Sequence, residues 1–225
     1  MARQRPAVSR HESREKRKGR AAKILRRLRG AFPRPKTALL HENPFQLLIA
    51  TILSAQCTDE RVNMVTKTLF QKYKGPRDFA AADTAELEQD IKSTGFFRMK
   101  TRSIMGCSKA LLERHGGKVP ETMEELVRLA GVGRKTANVV LGQAFGIVSG
   151  IVVDTHVHRL SQRLGLARAE TAEKIEEELM EVFPKKDWVD VGSILILHGR
   201  KTCTARNPKC PECLLNDLCP SAVLS

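Results

Sequence analysis

Gly131-Val132-Gly133 separates two stretches of helical periodicity and leaves no length for a loop between them. Before it, Met123, Leu126, Val127 and Ala130 recur at i, i+3, i+4 and i+7, which is one face of a helix. Thr122 and Glu125 have the spacing of a capping box at its start. After it, Ala137, Val140, Leu141, Ala144 and Phe145 share the face of a second helix. Glycine tolerates positive φ and lets a backbone approach a ligand closely. The first N–H groups of the second helix have no intrahelical acceptor and face outward, where an anion can bind them. Two readings of Leu129–Ala137 stand side by side. One is a helix-hairpin-helix phosphate clamp with Lys135 at the start of its second helix. The other is a tight corner between helices, with glycines that serve packing and a solvated lysine.

The charge balance bears on that choice. The 225 residues carry 39 Lys and Arg against 25 Asp and Glu, a formal net charge of +14 and a pI near 9.9. Such an excess predicts a polyanionic partner and salt-sensitive binding. Hydrophobic residues make up 41%, enough for a globular core of one or two domains. Aromatic residues make up 4%, which argues against a base-stacking platform for single strands. No apolar run reaches the length of a spanning helix, and no membrane partner is expected. No apolar stretch follows the basic N-terminus, so a secretory signal is not expected either. In the reducing compartment this implies, the six cysteines are not expected to form structural disulfides.

Residues 1–30 hold twelve Lys and Arg opposed only by Glu12 and Glu15. This block reads as a flexible basic arm, with helix open from Arg20 onward. The folded part is expected from about Pro35. Asn43-Pro44 reads as an N-cap followed by proline at the first helical position, with Phe45, Leu48, Ile49 and Ile52 on one face. A polar break at 54–59 leads to a helix through Val62, Val65 and Leu69. Asp83 with Glu86 caps another, and Ile104, Leu111 and Leu112 belong to the next, closed by Gly116-Gly117. Ile147–Val153 reads as a buried connector. Asp154 opens a helix as its N-cap, Ala172 to Val182 carries one stopped by Pro184, and Val191–Leu197 a core helix ending at Gly199. The architecture is all-α.

Cys203, Cys210, Cys213 and Cys219 fall in one short segment as C-x6-C-x2-C-x5-C. Four thiols so close in a reducing cell call for a metal. Zinc prefers two short pairs, of which only Cys210–Cys213 is present, and an iron–sulfur cube also takes four cysteines. Spacing alone leaves the metal open. Arg206 and Lys209 stud the loop between the first two cysteines, as phosphate contacts or as solubilising charge. Cys57 and Cys107 lie on helical segments and read as ordinary core residues.

The Gly-Val-Gly-Arg-Lys hairpin, Val153-Asp154-Thr155-His156 and the cysteine cluster, in that order, resemble the endonuclease III family of DNA base-excision glycosylases. The resemblance runs from about Lys36 to Cys219. It implies an all-α fold of two helical domains flanking a DNA-binding cleft. A six-helix domain would span 37–147, with the helix-hairpin-helix at 122–146. The second domain would combine 31–36 with 148–225 and hold a [4Fe-4S] cluster on the four cysteines. Lys135 matches the family's catalytic lysine and Asp154 its catalytic aspartate. Gln56, in Ser54-Ala55-Gln56, matches the residue that fills the gap left by an extruded nucleotide. Phe96 matches a wedge position where the family often has leucine, a departure that bears on opposite-strand and base preference. Gly131, Gly133, Arg134, Arg206 and Lys209 complete the expected DNA contacts.

The implied activity is excision of oxidised pyrimidines coupled to cleavage of the abasic strand, through a Schiff base on Lys135. A related glycosylase for mismatched thymine or adenine, or a non-catalytic DNA-binding module, would use the same hairpin. The amine must be neutral to attack, and burial and the helix N-terminus are both expected to favour that form at Lys135. Asp154 would supply the negative charge that a developing oxocarbenium ion needs. The expected partner is double-stranded DNA with damaged bases or abasic sites. The chain is expected to act as a monomer, in a bacterial cytoplasm and nucleoid rather than a nucleus.

Overall fold

A computed structural model describes residues 12–33 and 37–223. Among these the chain is helical, with no strand and eleven α-helices. They are α1 Arg14–Ala31, α2 Pro44–Leu53, α3 Asp59–Lys72, α4 Pro76–Ala81, α5 Thr84–Ile91, α6 Phe97–His115, α7 Met123–Leu126, α8 Arg134–Ala144, α9 Thr155–Arg163, α10 Ala172–Val182 and α11 Trp188–Lys201. The described residues divide into two compact units, Thr37–Ser149 and those within Met1–Lys36 and Gly150–Ser225.

The first unit is built round α2. Asn43 caps it, its side chain accepting from Gln46 N, with Pro44 at the first helical position. A one-sided apolar face was the expectation, yet every α2 residue but Pro44 and Gln46 is buried. A helix apolar on all sides has to sit at the centre of a core. The helices α3, α6 and α8 pack around it, and α4 and α5 close over α6. Phe79 of α4, fully buried, meets Phe45 edge-on at 5.7 Å and stacks on Tyr73 at 4.9 Å. Cys107 is in this core, where burial pushes its thiol up to about 12, and Cys57 packs at its edge.

The second unit gathers α1, α9, α10 and α11 round Ile24, Leu28, Val157, Leu160, Ile175, Leu179 and Ile194. Ile151, in the irregular connector before α9, is fully buried here. The basic segment departs from expectation. It is helical from Arg14, not a flexible arm with helix open only from Arg20, and its Ala21, Ile24, Leu25 and Leu28 are buried. Residues 1–11 lie outside the described residues. Three arginines of α1 pair with distant acids. Arg29 pairs with Asp187 and Asp190, both at 2.7 Å, Arg14 with Glu181 at 3.4 Å, and Arg27 with Asp217. Arg20 holds Glu12 at 2.6 Å, keeping that carboxyl below its usual range, and donates to the carbonyls of Leu164 and Gly165. These four arginines tie the helix to the rest of the unit.

Candidate functional site

The hairpin forms as Met123–Leu126, a turn through 127–133, and α8. The first helix is one turn long, shorter than the apolar repeat suggested. Val127 and Ala130 are exposed, and Leu126 and Leu129 reach the core instead. Tight reversal toward α8 ends the periodicity after a single turn. Thr122 caps Glu125 N, and its hydroxyl also donates to the Glu125 carboxylate at 2.6 Å, so the pair closes side chain to side chain.

The two glycines have different reasons. Gly131 has φ +76°, and a Cβ there would stand 2.6 Å from Ser103 Cβ. Only glycine fits, and the requirement comes from the fold itself. Gly133 is the N-cap of α8 at φ −93°, and a Cβ there would meet nothing within 4 Å. Its open side is where another molecule's backbone can approach. Gly131→Ala is therefore expected to cost about 1–3 kcal/mol, as strain and clash together. Gly133→Ala, with no clash, is expected to cost only the N-cap preference, about 0.5–1 kcal/mol. Chemical denaturation of both variants checks the contrast.

Lys135 sits in the first turn of α8 and is exposed, as are Gly133 and Arg134. The burial expected of its amine is absent. Asp154 caps α9. Its Oδ1 accepts from His156 N at 2.8 Å and Val157 N at 2.9 Å. Both bonds end on one oxygen, so capping does not use Oδ2. The cap reading is thus correct, and it leaves half the carboxylate available.

Gln56 and Phe96 are the two non-glycine residues with positive φ among the described residues, at 53° and 49°. A bulky residue held there stores strain of about 1–3 kcal/mol and persists only where its surroundings over-determine it. Gln56 ends the turn after α2, and Phe96 precedes α6 at 58% exposure. A large aromatic held out in solvent by a strained backbone has no packing explanation within the unit. No sequence rule marks either residue as left-handed.

The four cysteines line a single cavity with Leu160, Leu164 and His198. Burial pushes the thiols of Cys213 and Cys219 up, and the neighbouring cysteines add to this, so the set needs a cation to ionise together. Two N–H donors and an imidazole nitrogen already face the sulfurs. Leu215 N and Arg163 Nη1 lie 3.4 Å from Cys213 and Cys203, and His198 Nε2 lies 3.5 Å from Cys213. Sulfurs met by N–H groups in a partly buried cage fit an iron–sulfur cluster.

Sequence reasoning missed Arg159 and Arg163. Arg159 donates to Cys203 O at 2.8 Å and Gly199 O at 3.0 Å, and Arg163 to Thr204 O and Ala205 O, both at 2.8 Å. Their i, i+4 spacing on the helix opened by Asp154 was the available signal. They pin the loop on which Arg206 and Lys209 stand exposed.

Residues 49–185 match the HhH-GPD superfamily of base excision DNA repair proteins, and 203–219 match the iron–sulfur binding domain of endonuclease III. The chain is 52% identical over 208 residues to endonuclease III of Synechocystis sp., covering 92% of this chain and 95% of that one. Two solved structures, a non-covalent endonuclease III–DNA complex and a trapped endonuclease III–DNA covalent intermediate, each superpose with a TM-score of 0.87 at 46% identity. Each match covers 91% of this chain and 96% of the other. The chain belongs to the endonuclease III family: it is a base-excision DNA glycosylase and abasic-site lyase that carries a [4Fe-4S] cluster.

Proposed function

We propose that the chain excises oxidised pyrimidines from duplex DNA through Lys135. The observation that carries this reading is Lys135 exposed on the first turn of α8, directly after the open face of Gly133. Its amine attacks C1′ of the damaged nucleotide. The C1′–N bond breaks, and the base leaves with the bonding pair and takes up a proton. Opening of the sugar ring leaves a Schiff base between Lys135 and C1′. Loss of a C2′ proton then expels the 3′ phosphate by β-elimination. Asp154 stabilises the positive charge that develops on the sugar, with the oxygen that capping does not use. Gln56 fills the gap left by the extruded nucleotide and Phe96 wedges the opposite strand, which offsets the cost of extrusion. Gly131, Gly133, Arg134, Arg206 and Lys209 contact the phosphates. The chain works as a monomer, on the DNA of a bacterial cytoplasm. The trapped covalent complex of a protein 46% identical supports the covalent route.

Borohydride trapping over a panel of single-lesion duplexes tests the reading. Adducts with oxidised-pyrimidine duplexes are expected. Adducts confined to mismatched thymine or adenine would reassign the substrate, and none with any lesion would overturn the Schiff base on Lys135. The cluster has its own check. Purified protein is expected to be brown with roughly four irons per chain. Colourless protein with one zinc would overturn that assignment.

A further inference from the structure

Lys100 is the one lysine or arginine buried among the described residues, at 2% exposure. Its Nζ donates to Leu53 O at 2.7 Å and to Thr94 O at 2.8 Å. Leu53 is the last residue of α2, and its carbonyl is among those a helix end leaves without an intrahelical partner. An ammonium there also suits the negative end of the helix dipole. Three residues further on stands Gln56. Thr94 is buried too, its hydroxyl tied to Ile91 O at 2.8 Å, and two residues further on stands Phe96. One ammonium thus joins the feet of the two turns that carry the strained residues.

We propose that Lys100 is a positioning residue, whose ammonium holds the Gln56 turn and the Phe96 turn at a fixed spacing so that both enter one duplex together. Strained backbone needs surroundings that over-determine it. The two carbonyl bonds provide that at the base of each turn, from a side chain rooted one turn into α6. Burial pushes the lysine's affinity for its proton down, which makes the arrangement costly to maintain. Apolar packing alone would need no ammonium at this place. Lys100 does not touch the reacting atoms. It acts on extrusion, the step that Gln56 and Phe96 serve, and so rests on the reading that they enter the duplex.

The test compares two substrates of the intact, cluster-loaded enzyme under single turnover: an oxidised pyrimidine in a fully paired duplex, and an abasic site in a single strand, where little must be extruded. Gln56→Ala and Phe96→Ala serve as references. Lys100→Met is expected to slow the paired substrate about tenfold or more and to leave the single-strand rate within about twofold. Added to the Gln56→Ala/Phe96→Ala pair, it is expected to cause little further loss, because it acts through them. Amide exchange at 54–57 and 93–97 should quicken. Should Lys100→Met fail to fold, Lys100→Gln, which removes the charge and shortens the reach but keeps an N–H donor group, carries the same comparison. If the two references leave the paired rate unchanged, the insertion reading itself fails. If they lower it while the Lys100 variant does not, or slows both substrates equally, the positioning role is overturned.

Discussion

Lys135→Ala is expected to fold normally, bind duplex DNA and lose both excision and strand cleavage. Lys135 is exposed on the first turn of α8, so its removal costs no core contact, and stability should stay within about 0.5 kcal/mol of the parent. Loss of a covalent nucleophile is far larger, on the order of 10^3- to 10^6-fold in rate. Lys135→Arg should not rescue it, since a guanidinium does not give up its proton at any working pH. Single-turnover cleavage, borohydride trapping and a thermal melt on the same preparations separate these effects. An adduct that persists in Lys135→Ala would place the nucleophile on another amine.

Asp154→Asn is expected to lower the excision rate by about 10^2- to 10^3-fold with an unchanged melt. Asparagine caps a helix about as well as aspartate, so the bonds from His156 N and Val157 N survive. What goes is the charge on the oxygen that capping does not use. Asp154→Ala removes both functions and should cost about 1 kcal/mol of stability in addition. The comparison divides the two roles of this carboxylate within one pair of variants. Full activity in Asp154→Asn would reduce the residue to a cap.

Local chemistry was legible. The caps at Asn43, Asp83, Thr122 and Asp154 act over two or three residues, and each opens a helix in the structure. The four cysteines lie within one short segment, so their gathering round one cavity needed little of the fold. Periodicity misled where a tight reversal cut it short, as at Val127 and Ala130. The basic block misled for another reason. Its partners Glu181, Asp187, Asp190 and Asp217 lie more than 150 residues further along the chain. Side chains that meet only after folding leave no spacing to read.

By itself, then, the amino-acid order determined the helices that open at Asn43, Asp83, Thr122 and Asp154, the hairpin and the grouping of the cysteines, because each rests on contacts a few residues apart. Tertiary structure alone decided that Gly131 serves the fold while Gly133 stays open, that Gln56 and Phe96 are held left-handed, and that Lys100 joins the turns beneath them. Those outcomes depend on Ser103 against Gly131 and on α6 against the end of α2, contacts between segments that come together only when the core closes.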